Sequence, residues 1–330
     1  HGKSQNVLVF EGKADGSFIR AEDRALNGDL DNLKKAASGD LNGDGFADLV
    51  FSNASNGGVI SAMENQAPLG LPDVTVDLQW TRQIGTDGQD KVIDTAVTST
   101  GDLVVVSQEK IRSGDDRVAV EKYDAQGNEL WSSDFGGKNT EVDAVELDAQ
   151  DNIYFSGDVQ NQELGSLSNH FETLNGGPAN GSLSDPYLAK FSPQGDQIFF
   201  ERFGSSDVTR GQHTDLAVRD DGTAYVSADA EGPFTPAQSE PAPFDDVVVS
   251  AFTPGGELSW SKMVGGGGNE GARQIALDPK SGDLILAGSS DGDMSRLAIG
   301  GGDDFTAAPN LSGPTDSNHR GFLMRFDPDA

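Results

Sequence analysis

One pattern recurs along this chain and constrains its fold more than any other feature. An aromatic residue closes a strand, a glycine turn follows, and a second strand carries another aromatic. The complete copies are Tyr123-Asp-Ala-Gln-Gly127-Asn-Glu-Leu-Trp131, Phe191-Ser-Pro-Gln-Gly195-Asp-Gln-Ile-Phe199 and Phe252-Thr-Pro-Gly-Gly256-Glu-Leu-Ser-Trp260, and Phe326-Asp-Pro-Asp-Ala330 is a shortened one. The two aromatics and the glycine keep identical offsets in the three complete copies. A glycine turn between two β-rich runs is a hairpin signal. A second part of the pattern starts at Trp80, Trp131, Phe199 and Trp260, each followed at a fixed offset by Gly85, Gly136, Gly204 and Gly265. A second hairpin comes next, in the copies Asp94–Val106, Val142–Gly157, Thr214–Ser227 and Arg273–Gly288. Its flanks alternate apolar and polar, as at Ile153 and Phe155 or Leu284 and Leu286, the period of half-buried strands.

Each unit thus supplies four strands at a period of roughly 50–70 residues, and such units build an all-β fold, a β-propeller of four-stranded blades. A lone blade cannot bury both faces, so Trp131, Phe199 and Trp260 are read as wedges between neighbouring sheets rather than as sugar platforms. The predicted blades are Lys34–Arg82, Asp94–Asp134, Val142–Phe203 and Thr214–Met263, with a three-stranded fifth at Arg273–Phe326. The strands Val7–Gly12 and Phe18–Arg24 are left over, and either one could complete the fifth blade. Five blades in a single domain, residues 1–330, is the preferred count, with six or seven open. Inserts at Asp158–Ser184, Ala230–Phe244 and Ser289–Arg320 are rich in Gly, Pro, Ser and Asn and read as loops, places for binding or tolerated insertions.

Composition narrows the function classes. With 23 Lys plus Arg against 54 Asp plus Glu, the formal net charge of −31 repels phosphate backbones and anionic membranes, which argues against nucleic-acid partners. The absence of cysteine excludes disulfides, thiolate zinc sites and cysteine nucleophiles. No apolar run is long enough for membrane insertion as a helix, and none of these residues is expected to be a signal peptide. The first residue is His1, so the chain is expected to be processed or part of a larger multidomain protein.

The stretch Asp40-Leu-Asn42-Gly-Asp44-Gly-Phe46-Ala-Asp48 sets oxygen-bearing side chains at alternating positions of a tight loop. Ca²⁺ takes about six to eight oxygens at roughly 2.3–2.6 Å. The expected side-chain ligands are Asp40, Asn42, Asp44 and Asp48, with the Phe46 carbonyl as the backbone ligand. Most such loops hold a structure together rather than perform chemistry. Asp29 and Asp31 are a weaker cation candidate.

These residues carry two resemblances. From about Val74 to Ala330 the chain resembles the bacterial SBBP-type β-propeller repeat, best over Trp131–Gly137, Leu147–Gly157 and Asp185–Gly195, while Thr86 departs from it where a second glycine belongs. Residues 1–72 resemble an FG-GAP/VCBS repeat, through Asn6–Phe18 and Ser38–Asn53. That resemblance implies calcium on the positions that oxygen spacing alone selects. Together the two imply a secreted or cell-surface protein, extracellular or periplasmic.

Catalytic signatures are scarce. His1, His170, His213 and His319 form no zinc-protease spacing, no G-x-S-x-G elbow occurs, and the run Gly265–Gly268 lacks the Lys and Ser/Thr of a phosphate loop. The acid pairs Asp115/Asp116, Asp245/Asp246 and Asp303/Asp304 read as solvated carboxylates. The resulting expectation is a module that is not an enzyme, binds calcium and engages a protein or glycan. The competing reading is a polysaccharide lyase or hydrolase acting in the propeller channel. A quinone-dependent dehydrogenase is set aside because no cofactor signature accompanies the tryptophan pattern.

Overall fold

The structure, a computed structural model, describes residues 6–12, 18–25, 33–42, 48–53, 59–65, 76–85, 90–109, 117–136, 140–160, 184–203, 212–231, 245–265, 269–291, 298–301, 304–307 and 320–329. All regular structure among them is β. The chain forms two compact units, residues 1–113 with 119–133, and residues 114–118 with 134–330.

The first unit opens with a hairpin of its own, β1 (Asn6–Gly12) and β2 (Phe18–Ala25). The expectation that one of these strands completes the fifth blade is not met, since the two pair with each other as a separate two-stranded sheet. Next come β3 (Leu33–Gly39), β4 (Asp48–Asn53), β5 (Val59–Asn65) and β6 (Val76–Gln83), an antiparallel sheet in chain order. A second sheet orders β7 (Lys91–Val97), β8 (Leu103–Glu109), β9 (Arg117–Tyr123) and β10 (Glu129–Phe135) in the same way. Val50, Ile60, Ala62, Leu103, Val105 and Tyr123 share one core, with half-buried Trp80 packed against it.

The second unit holds a four-stranded sheet of β11 (Ala144–Leu147), β12 (Ile153–Gln160), β13 (Ser184–Phe191) and β14 (Gln197–Arg202). Its neighbour is built from β15 (Gln212–Val218), β16 (Ala224–Glu231), β17 (Asp245–Phe252) and β18 (Leu258–Gly265). A short hairpin, β21 (Ala298–Gly301) and β22 (Asp304–Ala307), adds to the edge of β18. The last sheet is three-stranded, β19 (Glu270–Leu277), β20 (Leu284–Ser290) and β23 (Arg320–Phe326). These sheets, each meandering outward in chain order, are the blades of a β-propeller.

Period-2 alternation explains why the central strands are largely apolar on both faces. On β17, Val247, Val249 and Ala251 enter the core shared with the three-stranded sheet, while Val248 and Phe252 enter the core shared with β11–β14. The polar residue in that run, fully buried Ser250, is paired with the Ser261 hydroxyl at 2.8 Å.

The repeated glycines have a local cause. Gly127 and Gly256 adopt φ of 77° and 92°, in the left-handed region that favours glycine. A Cβ on Gly127 would lie 2.8 Å from Trp80 Cδ2, and one on Gly256 would lie 3.0 Å from Phe199 Cγ. The aromatic of one sheet therefore rests on the hairpin glycine of the next, which accounts for the fixed offsets in the sequence. The inserts are shorter than the sequence suggests. Asp158–Gln160 and Ser184 belong to β12 and β13, Ala230 and Glu231 to β16, and Ser289 and Ser290 to β20, and β21 and β22 lie inside the third insert.

Candidate active site and metal loop

The expected cation loop joins β3 to β4, where the register sets Gly39 opposite Asp48. Asp48 is fully buried, and the Leu41 N–H donates to its Oδ2 at 2.8 Å. The turn at Gly101 lies against the residues that enter the loop, since a Cβ there would lie 2.7 Å from the Leu41 carbonyl oxygen and 3.0 Å from that of Asp40. The loop thus ends on a buried carboxylate that already accepts a backbone N–H. Asp44 and Phe46 lie outside the described residues, as do Asp29 and Asp31. Among the described residues no cluster of three or more His, Asp or Glu side chains is arranged for a metal.

A second group of acids gathers at the start of β11. Residues 140–143 run beside β12: Thr140 bridges Val159, the Glu141 N–H donates to the Asp158 carbonyl at 2.8 Å, and the Asp143 N–H donates to that of Ser156 at 2.8 Å. The approach is close because residue 157 is glycine. A Cβ there would lie 2.0 Å from the Glu141 carbonyl oxygen and 2.8 Å from Val142 Cα. The buried Tyr187 hydroxyl donates to the same Glu141 carbonyl at 2.9 Å.

The side chains differ in what holds them. Asp143 Oδ2 accepts the Thr214 N–H at 2.9 Å, and the Thr214 hydroxyl at 3.1 Å. Burial still pushes the Asp143 carboxyl above its ordinary range, against those two hydrogen bonds. Asp158 is 6% exposed. Its carboxyl is pushed up to about 7, first by burial, then by the charges of Asp143 and Glu141, with a Ser184 hydrogen bond opposing the shift. The groups acting on Asp158 are thus two acids and a hydroxyl, with no cation among them. Glu141 is exposed at the rim, and exposed His213, at φ 54°, sets Nδ1 3.3 Å from Asp229 Oδ2.

Chemically, this arrangement offers a buried acid that retains its proton near neutrality beside two further carboxylates. None of the three was singled out as a site residue in the sequence. Asp158 stood there only as the first residue of an insert. The acid pairs that were named do not assemble with it: Asp245 and Asp246 open β17, Asp304 opens β22, and Asp115, Asp116 and Asp303 lie outside the described residues, as do His170 and His319. The available signal was positional, an acid directly after a glycine that replaces the alanine of the next repeat, Gly157-Asp158 against Ala228-Asp229.

No known family pattern matches the sequence, and no curated protein does. Solved structures do. An α-L-arabinanase of Penicillium chrysogenum is 11% identical, with a TM-score of 0.49 over 93% of this chain and 86% of its own. A GH93 α-L-arabinofuranosidase of Fusarium graminearum is 13% identical, with a TM-score of 0.48 over 92% and 84%. A GH43_1 enzyme of Xanthomonas citri is 12% identical, with a TM-score of 0.40 over 78% and 82%. The likeness is in the course of the chain and locates no residue of a site. It does correct one expectation. The chain was read as a binding module and not an enzyme, whereas the solved structures it is similar to are glycoside hydrolases, and the non-catalytic reading is withdrawn.

Proposed function

We propose that this protein is an extracellular polysaccharide-degrading enzyme that hydrolyses glycosidic bonds, with Asp158 as proton donor. The observation that carries the reading is the Asp158 carboxyl, held near 7 by burial beside Asp143 and Glu141. Glycosidic cleavage uses one carboxyl group that keeps its proton and a second carboxylate nearby. Asp158 gives its proton to the bridging oxygen as the bond from that oxygen to the anomeric carbon breaks. Water bonds to the anomeric carbon, and Glu141, the exposed carboxylate of the three, takes the proton it releases. Asp143, tied to Thr214, acts on Asp158 through its charge and is a positioning residue. The neighbours named for arabinan and arabinofuranosides supply the first substrates to try.

The test is release of reducing ends from a panel of arabinan, xylan and pectic polymers. Wild type is expected to cleave at least one, and Asp158→Asn to lose about a hundredfold or more of that rate, the scale of general acid catalysis. An inactive wild type, or an Asp158→Asn protein as fast as wild type, removes the assignment.

The calcium loop belongs to the same proposal, as an FG-GAP/VCBS-like element followed by SBBP-like blades. Asp40, Asn42, Asp44 and Asp48, with the Phe46 carbonyl, would hold Ca²⁺, which would pin β3 to β4 and take no part in the reaction. Support comes from the buried Asp48 carboxylate and the alternating oxygen-bearing residues of the sequence. Placement outside the cell, secreted or at the surface, follows from a polymeric substrate and is checked by cell fractionation.

A further inference from the structure

Five arginines have described side chains, and four of them meet carboxylates: Arg117 with Asp134, Arg202 with Asp185, Arg219 with Asp329 and Arg325 with Asp278 and Asp283. Arg82 does not. Its Nε donates to the Gly127 carbonyl at 2.5 Å, and its guanidinium carbon lies 5.8 Å from the centre of the Tyr123 ring. Arg219 has the same kind of setting, over the Tyr225 ring with the Gly282 carbonyl, but adds an ion pair with Asp329 that Arg82 lacks. The nearby hairpin acid, Asp124, feels the Arg82 charge but makes no contact ion pair with it, and its Oδ1 accepts the N–H groups of Gln126 and Asn128 while its Oδ2 accepts from the Asn128 side chain.

Arg82 also lines a surface pocket of about 300 Å³, together with Trp80, Thr81, Gln83, Gln126 and Gly127. Trp80 and Arg82 stand two apart on β6 and so share a face, and each is anchored to the same hairpin. The Trp80 Nε1–H donates to the Ala125 carbonyl at 2.9 Å. That leaves a half-buried indole held in one orientation, a guanidinium beside it, and the exposed amide side chains of Gln83 and Gln126 at the margin. An indole face suits the C–H face of a sugar ring, a guanidinium fork suits a carboxylate, and amides suit hydroxyls.

We infer that this pocket binds a uronic acid residue of an acidic polysaccharide, with the Arg82 guanidinium on the sugar carboxylate and Trp80 along the ring. The net charge of −31 opposes an anion at long range. At physiological salt that repulsion is screened beyond about 8 Å, while a contact pair at about 4 Å keeps most of its attraction. The site lies in the first unit and the acids at Asp158 in the second, so binding here and cleavage there can fail independently. It deepens the polysaccharide reading by naming a sugar class.

The test is calorimetric titration of the intact protein with a galacturonate trisaccharide, a neutral arabinose trisaccharide and an N-acetylated acidic tripeptide. Wild type is expected to bind the galacturonate at least tenfold more tightly than either other probe. Arg82→Gln should lose about tenfold in galacturonate affinity while remaining folded, with a melting temperature lowered only slightly by loss of the Gly127 and Tyr123 contacts. Arg82→Lys, which keeps the charge and loses the fork, should fall between. Gln126→Ala, at an exposed hairpin tip, should weaken binding about threefold and provides a second variant if Arg82→Gln fails to fold. Undetectable galacturonate binding to wild type, equal binding of the neutral sugar or the tripeptide, or binding that neither variant weakens overturns the inference.

Discussion

Two neighbouring blades of the second unit carry an aspartate at the same place and use it in opposite ways. Asp158 on β12 pairs across from Pro186, and Asp229 on β16 pairs across from Val247 in the matching register. Asp229 is fully employed: its Oδ1 accepts the Ala272 N–H from the next sheet at 2.6 Å, and its Oδ2 faces His213. It is a strut between sheets. Asp158 has a serine and two further acids around it. The residue before each makes the difference possible. Ala228 is fully buried with its methyl accommodated, whereas at Gly157 the backbone of Glu141 and Val142 occupies that space. One missing methyl lets a segment carrying Glu141 and Asp143 close over the next carboxyl. A repeat thus makes a site by changing the neighbours of a residue it keeps.

Substitutions can break that comparison, and the largest effect is expected from Asp158→Asn. The folded carboxyl sits near 7 and the unfolded one in the ordinary carboxylate range, so the folded state holds the extra proton between those values. The stability this contributes is full below the unfolded value and is lost as pH rises through about 7. At pH 8 the wild type therefore carries an ionised, buried Asp158 that the asparagine variant lacks. The variant should gain on the order of 4 kcal/mol there, at about 1.4 kcal/mol for each pH unit between the folded and unfolded midpoints, and gain little at pH 4, measured by urea unfolding at both. A variant more stable yet inactive is the pattern of a strained functional group.

Gly157→Ala comes next. It should cost about 2–3 kcal/mol by forcing Glu141 away, and the Asp158 midpoint should fall as the segment opens, while Ala228→Gly in the next blade should cost only about 1 kcal/mol. In the first unit, Ca²⁺ at about a hundred times its Kd should stabilise by about 2.7 kcal/mol, and chelation or Asp48→Asn should abolish the gain in melting temperature. Asp229→Asn should cost about 1 kcal/mol at pH 4 and pH 8 alike, as a strut does. Asp143→Asn keeps an acceptor for Thr214 and removes the charge, so it should lower the Asp158 midpoint with a stability change within about 1 kcal/mol.

The blades were legible in the sequence because their causes are local. Most hairpins take a left-handed glycine at the turn, with Asp151 in that place between β11 and β12, and Trp80 and Phe199 rest on Gly127 and Gly256, which recur at fixed distances from Trp131 and Trp260. Blade limits such as Thr214–Met263 and Lys34–Arg82 agree with the sheets to within a few residues at nearly every boundary. The acids were not legible in the same way. Asp158 is one of 54 acidic side chains, and what distinguishes it is desolvation, supplied by packing that the local sequence does not encode. The uneven fate of the cation loop has the same origin: alternating oxygens are written in the sequence, whereas the burial of Asp48 comes from packing.

The most direct measurement is a pH titration of the Asp158 carboxyl carbon by ¹³C NMR, assigned with Asp158→Asn and repeated in Asp143→Asn. The expected midpoint lies at about 7 in wild type and lower in the Asp143→Asn protein. A wild-type midpoint in the ordinary carboxylate range, or one unmoved by loss of the Asp143 charge, contradicts a proton held at Asp158 by its buried neighbours.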